Sequence, residues 1–218
     1  MKPMILTNTM KHTALLFHCI IICFCSYAQD FEGKVIYQNT YTSKVPNIPN
    51  QQFNAMMGST QEYMIKEGNY KSTMNGTFVQ WQLYINKDNK LYNKIATTTS
   101  ILWNDGAINN DEVIKVEVNK NATEVLGHTC DELILTCKSG VQKYYYSTDL
   151  KVNPKLFENH KFGNWNEIMA RTNSLPLRIV METQQFGLEC NAVEILPMKL
   201  DSKLFELPAG SKLEKSPY

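Results

Sequence analysis

Asn75-Gly76-Thr77-Phe78-Val79-Gln80-Trp81-Gln82-Leu83-Tyr84-Ile85 is the stretch whose reading decides the fold. Asn-Gly is the strongest short-range signal for a reversal between two strands. Beyond it Val79, Trp81, Leu83 and Ile85 recur at every second residue with polar partners between them, the period of a half-buried strand rather than of a helix. Upstream, Tyr70–Met74 and Glu62–Lys66 have the same character and are joined by the turn Glu67-Gly68-Asn69. Further upstream, Phe31, Val35, Tyr37 and Tyr41 share one face of another strand.

Downstream the pattern predicts strands over Lys90–Ala96, Val113–Asn119, Thr123–Leu126, Glu132–Lys138 and Val141–Thr148, with Lys138-Ser139-Gly140 closing the last hairpin. Two more follow at Leu177–Thr183 and Leu188–Leu196, joined through Gln185-Phe186-Gly187. Helix is expected in two places. One is a short segment around Gln51 to Met57, after Pro46 and Pro49. The other lies between Asn153 and Asn173, carries Phe157, Phe162, Trp165, Ile168 and Met169, and breaks near Gly163. About ten strands with one helical insertion predict a mainly β fold. Its form is a large curved antiparallel sheet, open or half closed as a barrel, with the helix packed against its concave face.

The first residues read as a leader. Lys2 and Lys11 precede a continuous apolar run from Thr13 to Cys25, too short for a spanning helix, which needs about 20 residues. Ser26-Tyr27-Ala28 then places small residues at the minus-three and minus-one positions, so cleavage is expected between Ala28 and Gln29. No cysteine of the run follows a small residue, so lipidation is not indicated. The expected organisation is a signal peptide over 1–28, a single antiparallel-β domain over 29–210 and a loose C-terminal tail over 211–218. The mature chain would be exported, periplasmic or secreted, and soluble, with no membrane span left after cleavage.

Lys and Arg number 22 against 21 Asp and Glu, interspersed along the chain. Without a basic block there is no electrostatic footprint for nucleic acid. Cys130, Cys137 and Cys190 remain in the mature chain, an odd number in a compartment that permits disulfides. A bridge between Cys190 and one of the other two is expected, with Cys130 favoured at a strand end. Three buried, unbridged thiols are the equal alternative.

Several motifs resemble those of exported GLPGLI-type proteins and related uncharacterised domains of Gram-negative bacteria. Val125-Leu126-Gly127-His128-Thr129-Cys130 is similar to their hydrophobic-Gly-x-x-Cys step. Lys143-Tyr144-Tyr145-Tyr146-Ser147-Thr148-Asp149-Leu150 resembles their aromatic strand end. Leu175-Pro176-Leu177-Arg178-Ile179-Val180-Met181 resembles the strand opening that follows their helix. Leu204-Phe205-Glu206-Leu207-Pro208-Ala209-Gly210 resembles their closing Phe-x-x-Pro signature. The resemblance spans about the C-terminal half and implies a half-barrel like the LolA/LolB lipoprotein carriers, with helices over an apolar cavity and no established enzymatic activity.

No catalytic, metal or cofactor constellation is legible. His128-Thr129-Cys130 is the one grouping that could place a base beside a thiol, and no third, orienting group can be assigned to it. Cys-x-x-Cys and His-rich stretches are absent, and no calcium loop is formed. The aromatic load is the remaining hint: Tyr37, Trp81, Tyr144, Tyr146 and Trp165, with Met169, are expected to line an apolar ligand cavity. The expected role is non-enzymatic, binding or carrying a lipid or a lipidated protein. The alternative is an envelope protein with a filled core that engages a protein partner through its surface.

Overall fold

In a computed structural model describing residues 30–217, strands β3 (Asn69–Met74) and β4 (Val79–Ile85) pair antiparallel, with Tyr70 opposite Tyr84 and Thr73 opposite Trp81. The hairpin announced by Asn75-Gly76 is present, but its turn is wider than two residues, and Gly76 is not at positive φ. The reason is tertiary. The turn docks on the C-terminus of helix α1 (Asn50–Met57), where Thr77 N–H donates to the Ala55 carbonyl at 2.9 Å and Phe78 N–H to that of Met56 at 3.0 Å. Carbonyls that a helix end leaves unpaired are thereby satisfied. A Cβ on Gly76 would fall 2.5 Å from the Met56 carbonyl oxygen, so glycine is needed here for close approach.

Two other turns are of the tight kind. Strand β2 (Thr60–Lys66) returns into β3 through Glu67 and Gly68, at φ 48° and 78°. Strand β7 (Val113–Val125) returns into β8 (His128–Cys137) through Leu126 and Gly127, at φ 51° and 80°. Positive φ at both central residues matches the right-handed twist of the flanking strands.

The remaining strands are β1 (Gly33–Ser43), β5 (Lys90–Ile95), β6 (Ile101–Asp105), β9 (Gly140–Lys151), β10 (Ser174–Thr183), β11 (Phe186–Pro197) and β12 (Leu213–Lys215). All twelve form one sheet in the order β12-β6-β5-β4-β3-β2-β1-β11-β10-β9-β8-β7. It consists of two meanders, β1–β6 and β7–β11, joined where β1 pairs with β11, Tyr37 opposite Ala192. Every pairing is antiparallel except β12 along β6. The expected mainly β architecture, one large open curved antiparallel sheet, is the architecture present.

Burial on both sides of β4 shows how the sheet is covered. Leu83 and Tyr84 are adjacent, so their side chains point to opposite faces, yet they are 1% and 0% exposed. Tyr84 belongs to the main core with Val35, Tyr37, Leu133, Tyr144 and Leu177. That core is roofed by the β9–β10 connection: two 3₁₀ turns, Pro154–Phe157 and Phe162–Asn164, and helix α2 (Trp165–Thr172). Leu83 belongs to a smaller cluster with Met64, Tyr92, Ile101, Leu200 and Phe205, closed by the chain around the 3₁₀ turn Ser202–Phe205.

Three differences from the sequence reading have physical causes. The strands expected at Val113–Asn119 and Thr123–Leu126 are one strand, β7, whose register slips between Asn119 and Thr123, with Asn121 at φ 52°. Strand β6 was unforeseen because Asn104-Asp105-Gly106 reads as a turn. The break expected near Gly163 is present, with Gly163 and Asn164 at φ 63° and 62°. Within the segment expected to be a loose tail, Leu213–Lys215 pairs with Ile101–Trp103. The expected leader and its cleavage point at Ala28 and Gln29 lie outside the described residues.

Candidate ligand-binding site

The residues expected to line a cavity are for the most part the core itself. Tyr37, Tyr144, Tyr146 and Met169 are 4%, 2%, 5% and 0% exposed and pack in the main cluster, with Trp165 half-buried against it. Tyr37 donates its hydroxyl to the Pro176 carbonyl at 2.8 Å, and Tyr144 donates to Gln142 Oε1 at 2.7 Å. Trp81 is on the other face, packed with the Leu83 cluster, where Lys71 Nζ lies 5.8 Å from its ring centre. Alternation correctly joined Trp81 to Leu83; grouping it with Tyr37 is corrected by the sheet's two-sided cover.

The interior between helix and sheet is closed by stacked rings. His160, 0% exposed, lies on Tyr84 with centroids 3.8 Å apart and planes 7° from parallel. Its Nε2 meets the Tyr70 hydroxyl at 2.9 Å. Tyr63 stacks on Tyr70 at 5.2 Å, and Phe157, 1% exposed, stacks on Tyr84 at 6.4 Å. Burial pushes the His160 pKa down to about 3, so the ring is neutral and behaves as an aromatic with one polar handle.

Open space remains beyond this plug. A cavity of about 380 Å³ lies over the β4–β5–β6 end of the concave face, walled by Phe78, Val79, Ile95, Leu102 and Phe162. Its floor carries three amides, one from each strand. Gln82 Nε2 donates to Asn93 Oδ1 at 2.9 Å, and Asn93 Nδ2 donates to Asn104 Oδ1 at 3.0 Å. The pairing of β4 with β5 sets Gln82 directly opposite Asn93. The sequence reading missed these residues. The signal was there, since Gln82 is two residues from inward Tyr84 and Asn93 two from inward Leu91: polar side chains on the core face of their strands.

The rim is fixed by the β6–β7 loop. Lys161 N–H and Phe162 N–H both donate to the Gly106 carbonyl, at 2.7 and 3.1 Å. Asn164, fully buried, donates from Nδ2 to the Asp111 carbonyl at 3.0 Å and accepts from Asn109 at 2.5 Å. The Asp111 carboxylate accepts from Ser139 N–H, Ser139 Oγ and Gln142 Nε2 at 2.9, 2.7 and 3.0 Å. The wall carrying Phe162 is thus held by backbone and amide bonds rather than by apolar contact alone.

The cysteines take the second of the two expected states. Cys130, Cys137 and Cys190 are buried free thiols. Cys130 on β8 and Cys190 on β11 are separated by β9 and β10, three strand spacings or roughly 14 Å along the sheet. A disulfide spans only about 7 Å between Cα atoms, so the expected Cys130–Cys190 bridge is corrected. Burial raises all three thiol pKa values, Cys137 to about 11 and Cys190 to about 12. The Cys130 thiol donates to its neighbour's carbonyl, His128 O, at 3.4 Å, while the His128 ring turns to Asp149 at 2.7 Å. The pair therefore makes no thiolate–imidazole couple. Among the described residues no three His, Cys, Asp or Glu side chains converge as metal ligands. None of the described helices is long and apolar enough to cross a membrane.

No family model matches the chain, and no curated protein shows significant sequence similarity to it. Solved structures give distant likenesses. One is PNGF-II, at TM-score 0.45 and 12% identity over 85% of this chain, which spans 32% of that protein. Another is a LolA superfamily protein of Nitrosomonas europaea, at TM-score 0.36 and 12% identity, covering 83% of this chain and 92% of that one. A third is an uncharacterized conserved protein of Thermus thermophilus, at TM-score 0.34 and 8% identity, covering 83% and 90%. None of these scores is high enough to assert a shared fold. The class rests on the strand order itself: a mainly β domain built on one curved antiparallel sheet, with a plugged concave face and an open apolar cavity over β4–β6.

Proposed function

We propose that the domain is a non-enzymatic binding module that holds an apolar or amphiphilic, lipid-like molecule in the cavity between β4–β6 and Phe162. The observation that supports this most is the contrast within one face: the interior is filled by Tyr84, His160 and Phe157, yet about 380 Å³ stays open behind Phe162. Ligand pockets typically enclose roughly 300–1,000 Å³, mostly apolar with a few placed polar groups, and this space fits that description. Export to the periplasm or medium after removal of the leader belongs to the same reading. A lipid or a lipidated protein is the partner class.

A second reading has its own support. The plug of Phe157 and Trp165 leaves no deep cavity at the centre of the half-barrel, as a surface-acting envelope protein would have it. One experiment separates the two. The mature protein is titrated with a neutral, fluorescent octyl amide, alongside the variant Ile95→Trp, which fills the cavity from a half-buried wall position. Saturable one-to-one uptake by the unaltered protein, weakened about tenfold or more in the variant at equal thermal stability, supports the carrier reading. No uptake by the unaltered protein rejects it in favour of the second.

A further inference from the structure

Asn39, Gln61, Ser72, Gln82, Asn93 and Asn104 form a polar row, one residue from each of β1 to β6. Register places them side by side: Ser72 is directly opposite Gln82, and Gln82 directly opposite Asn93, while the other steps are diagonal. Hydrogen bonds run along the row in one direction. Asn39 Nδ2 donates to Gln61 Oε1 at 3.2 Å, and Gln61 Nε2 to Ser72 Oγ at 2.9 Å. The run breaks at Ser72, whose Oγ donates to Met74 Sδ at 3.1 Å, and a second run goes from Gln82 through Asn93 to Asn104 on the cavity floor, at 2.9 and 3.0 Å. Five strand spacings make the row roughly 24 Å long.

A polar row on the core face of a sheet is costly unless its groups are satisfied. Here they are satisfied only in part. Asn39 is 4% exposed, and its Oδ1 has no hydrogen-bond partner. That atom lies outside the cavity lining, so the part of the row open to an occupant is Gln82, Asn93 and Asn104. The row contains no charged side chain. The one carboxylate in the cavity lining, Asp111 on the rim, already accepts three hydrogen bonds. Amides both donate and accept, and hydroxyl groups do the same; an ionic head lying on this floor would find no counter-ion among the three amides.

Resting on the binding reading above, we infer that the occupant is an amphiphile with an uncharged, multiply hydroxylated head, of the kind an alkyl glycoside presents. Its apolar part enters between Phe162 and Ile95. Its head lies on Gln82, Asn93 and Asn104.

The test holds the alkyl chain constant. 1-Octanol, octyl glucoside, octyl maltoside, octyl sulfate and octyltrimethylammonium are titrated calorimetrically into the mature protein, below their micelle-forming concentrations. Affinity is expected to rise from octanol to the two glycosides, about tenfold or more, with both ionic heads weaker than the glucoside. In Gln82→Leu and, separately, Asn93→Leu, the gain from the sugar is expected to vanish while octanol binding persists, which also verifies that each variant is folded. Equal affinity for octanol and octyl maltoside in the unaltered protein overturns the inference and leaves the binding module standing. Tighter binding of an ionic head overturns it as well. Failure of every octyl compound removes both.

Discussion

The imidazole of His160 lies flat on the phenol of Tyr84, 3.8 Å between centroids, in the layer that joins the β9–β10 connection to the sheet. One ring comes from a loop and the other from a strand, 76 residues apart in sequence, and Tyr70 ties them by a hydrogen bond of 2.9 Å. This contact fills the centre of the half-barrel, and the cavity over β4–β6 lies beyond it.

That burial makes stability depend on pH in a definite sense. His160 is neutral in the folded protein down to about pH 3, whereas its unfolded value is 6.5. Below pH 6.5 the unfolded chain takes up a proton that the folded one does not, so this contribution to stability falls as pH drops from 6.5 toward 3. Urea midpoints of the unaltered protein and of His160→Phe are expected to converge as pH falls across that window. Parallel curves would contradict the assignment.

Glu32 gives a second acid-sensitive tie. Its carboxylate accepts the Leu200 backbone N–H at 2.7 Å, pairs with Lys199 at 3.0 Å and lies 3.3 Å from Lys66, which together hold its pKa near 2 against desolvation. The stabilisation is present above about pH 4.5 and is lost as pH falls toward 2. Glu32→Gln is expected to cost about 1–3 kcal/mol at pH 7, with the difference from the unaltered protein shrinking in acid. Denaturant titration at two pH values measures both.

The thiols are expected to be inert until the protein unfolds. Cys130, Cys137 and Cys190 are 0%, 4% and 3% exposed and unpaired. A reductant is expected to leave the melting temperature of a chain of residues 29–218 unchanged. Thiol alkylation read by mass should show none of the three labelled natively and all three in denaturant. A mass two units lower than the reduced chain would indicate a disulfide.

The loop rim can be tested through Asn164, which is fully buried at φ 62°. Asn164→Ala removes bonds to Asn109 and to the Asp111 carbonyl, leaves a non-glycine residue in the left-handed region and is expected to destabilise by about 1–3 kcal/mol. Asn164→Gly keeps the backbone and should lose less if strain rather than hydrogen bonding dominates.

Much of the sheet was legible because it is built from local signals. Glu67-Gly68 reads as a tight turn, and the alternating Val79–Ile85 run reads as a strand. What was not legible depends on partners distant in sequence. Leu213–Lys215 has no pattern of its own and is a strand only because β6 offers an edge. Period-two alternation states which residues share a face, not which face it is, so Trp81 was grouped with Tyr37 although the two lie on opposite sides. The cavity floor was passed over for a related reason. Gln82 and Asn93 look like ordinary outward polar residues until Tyr84 and Leu91 show that their side of the strand faces inward.

The measurement that tests the central claim most directly is organic extraction and mass spectrometry of the mature protein, purified without detergent from the cells that make it. Near-stoichiometric recovery of one amphiphile class with an uncharged hydroxylated head, lost from Ile95→Trp, is the predicted result. An empty protein that also takes up no octyl compound in vitro would contradict the account.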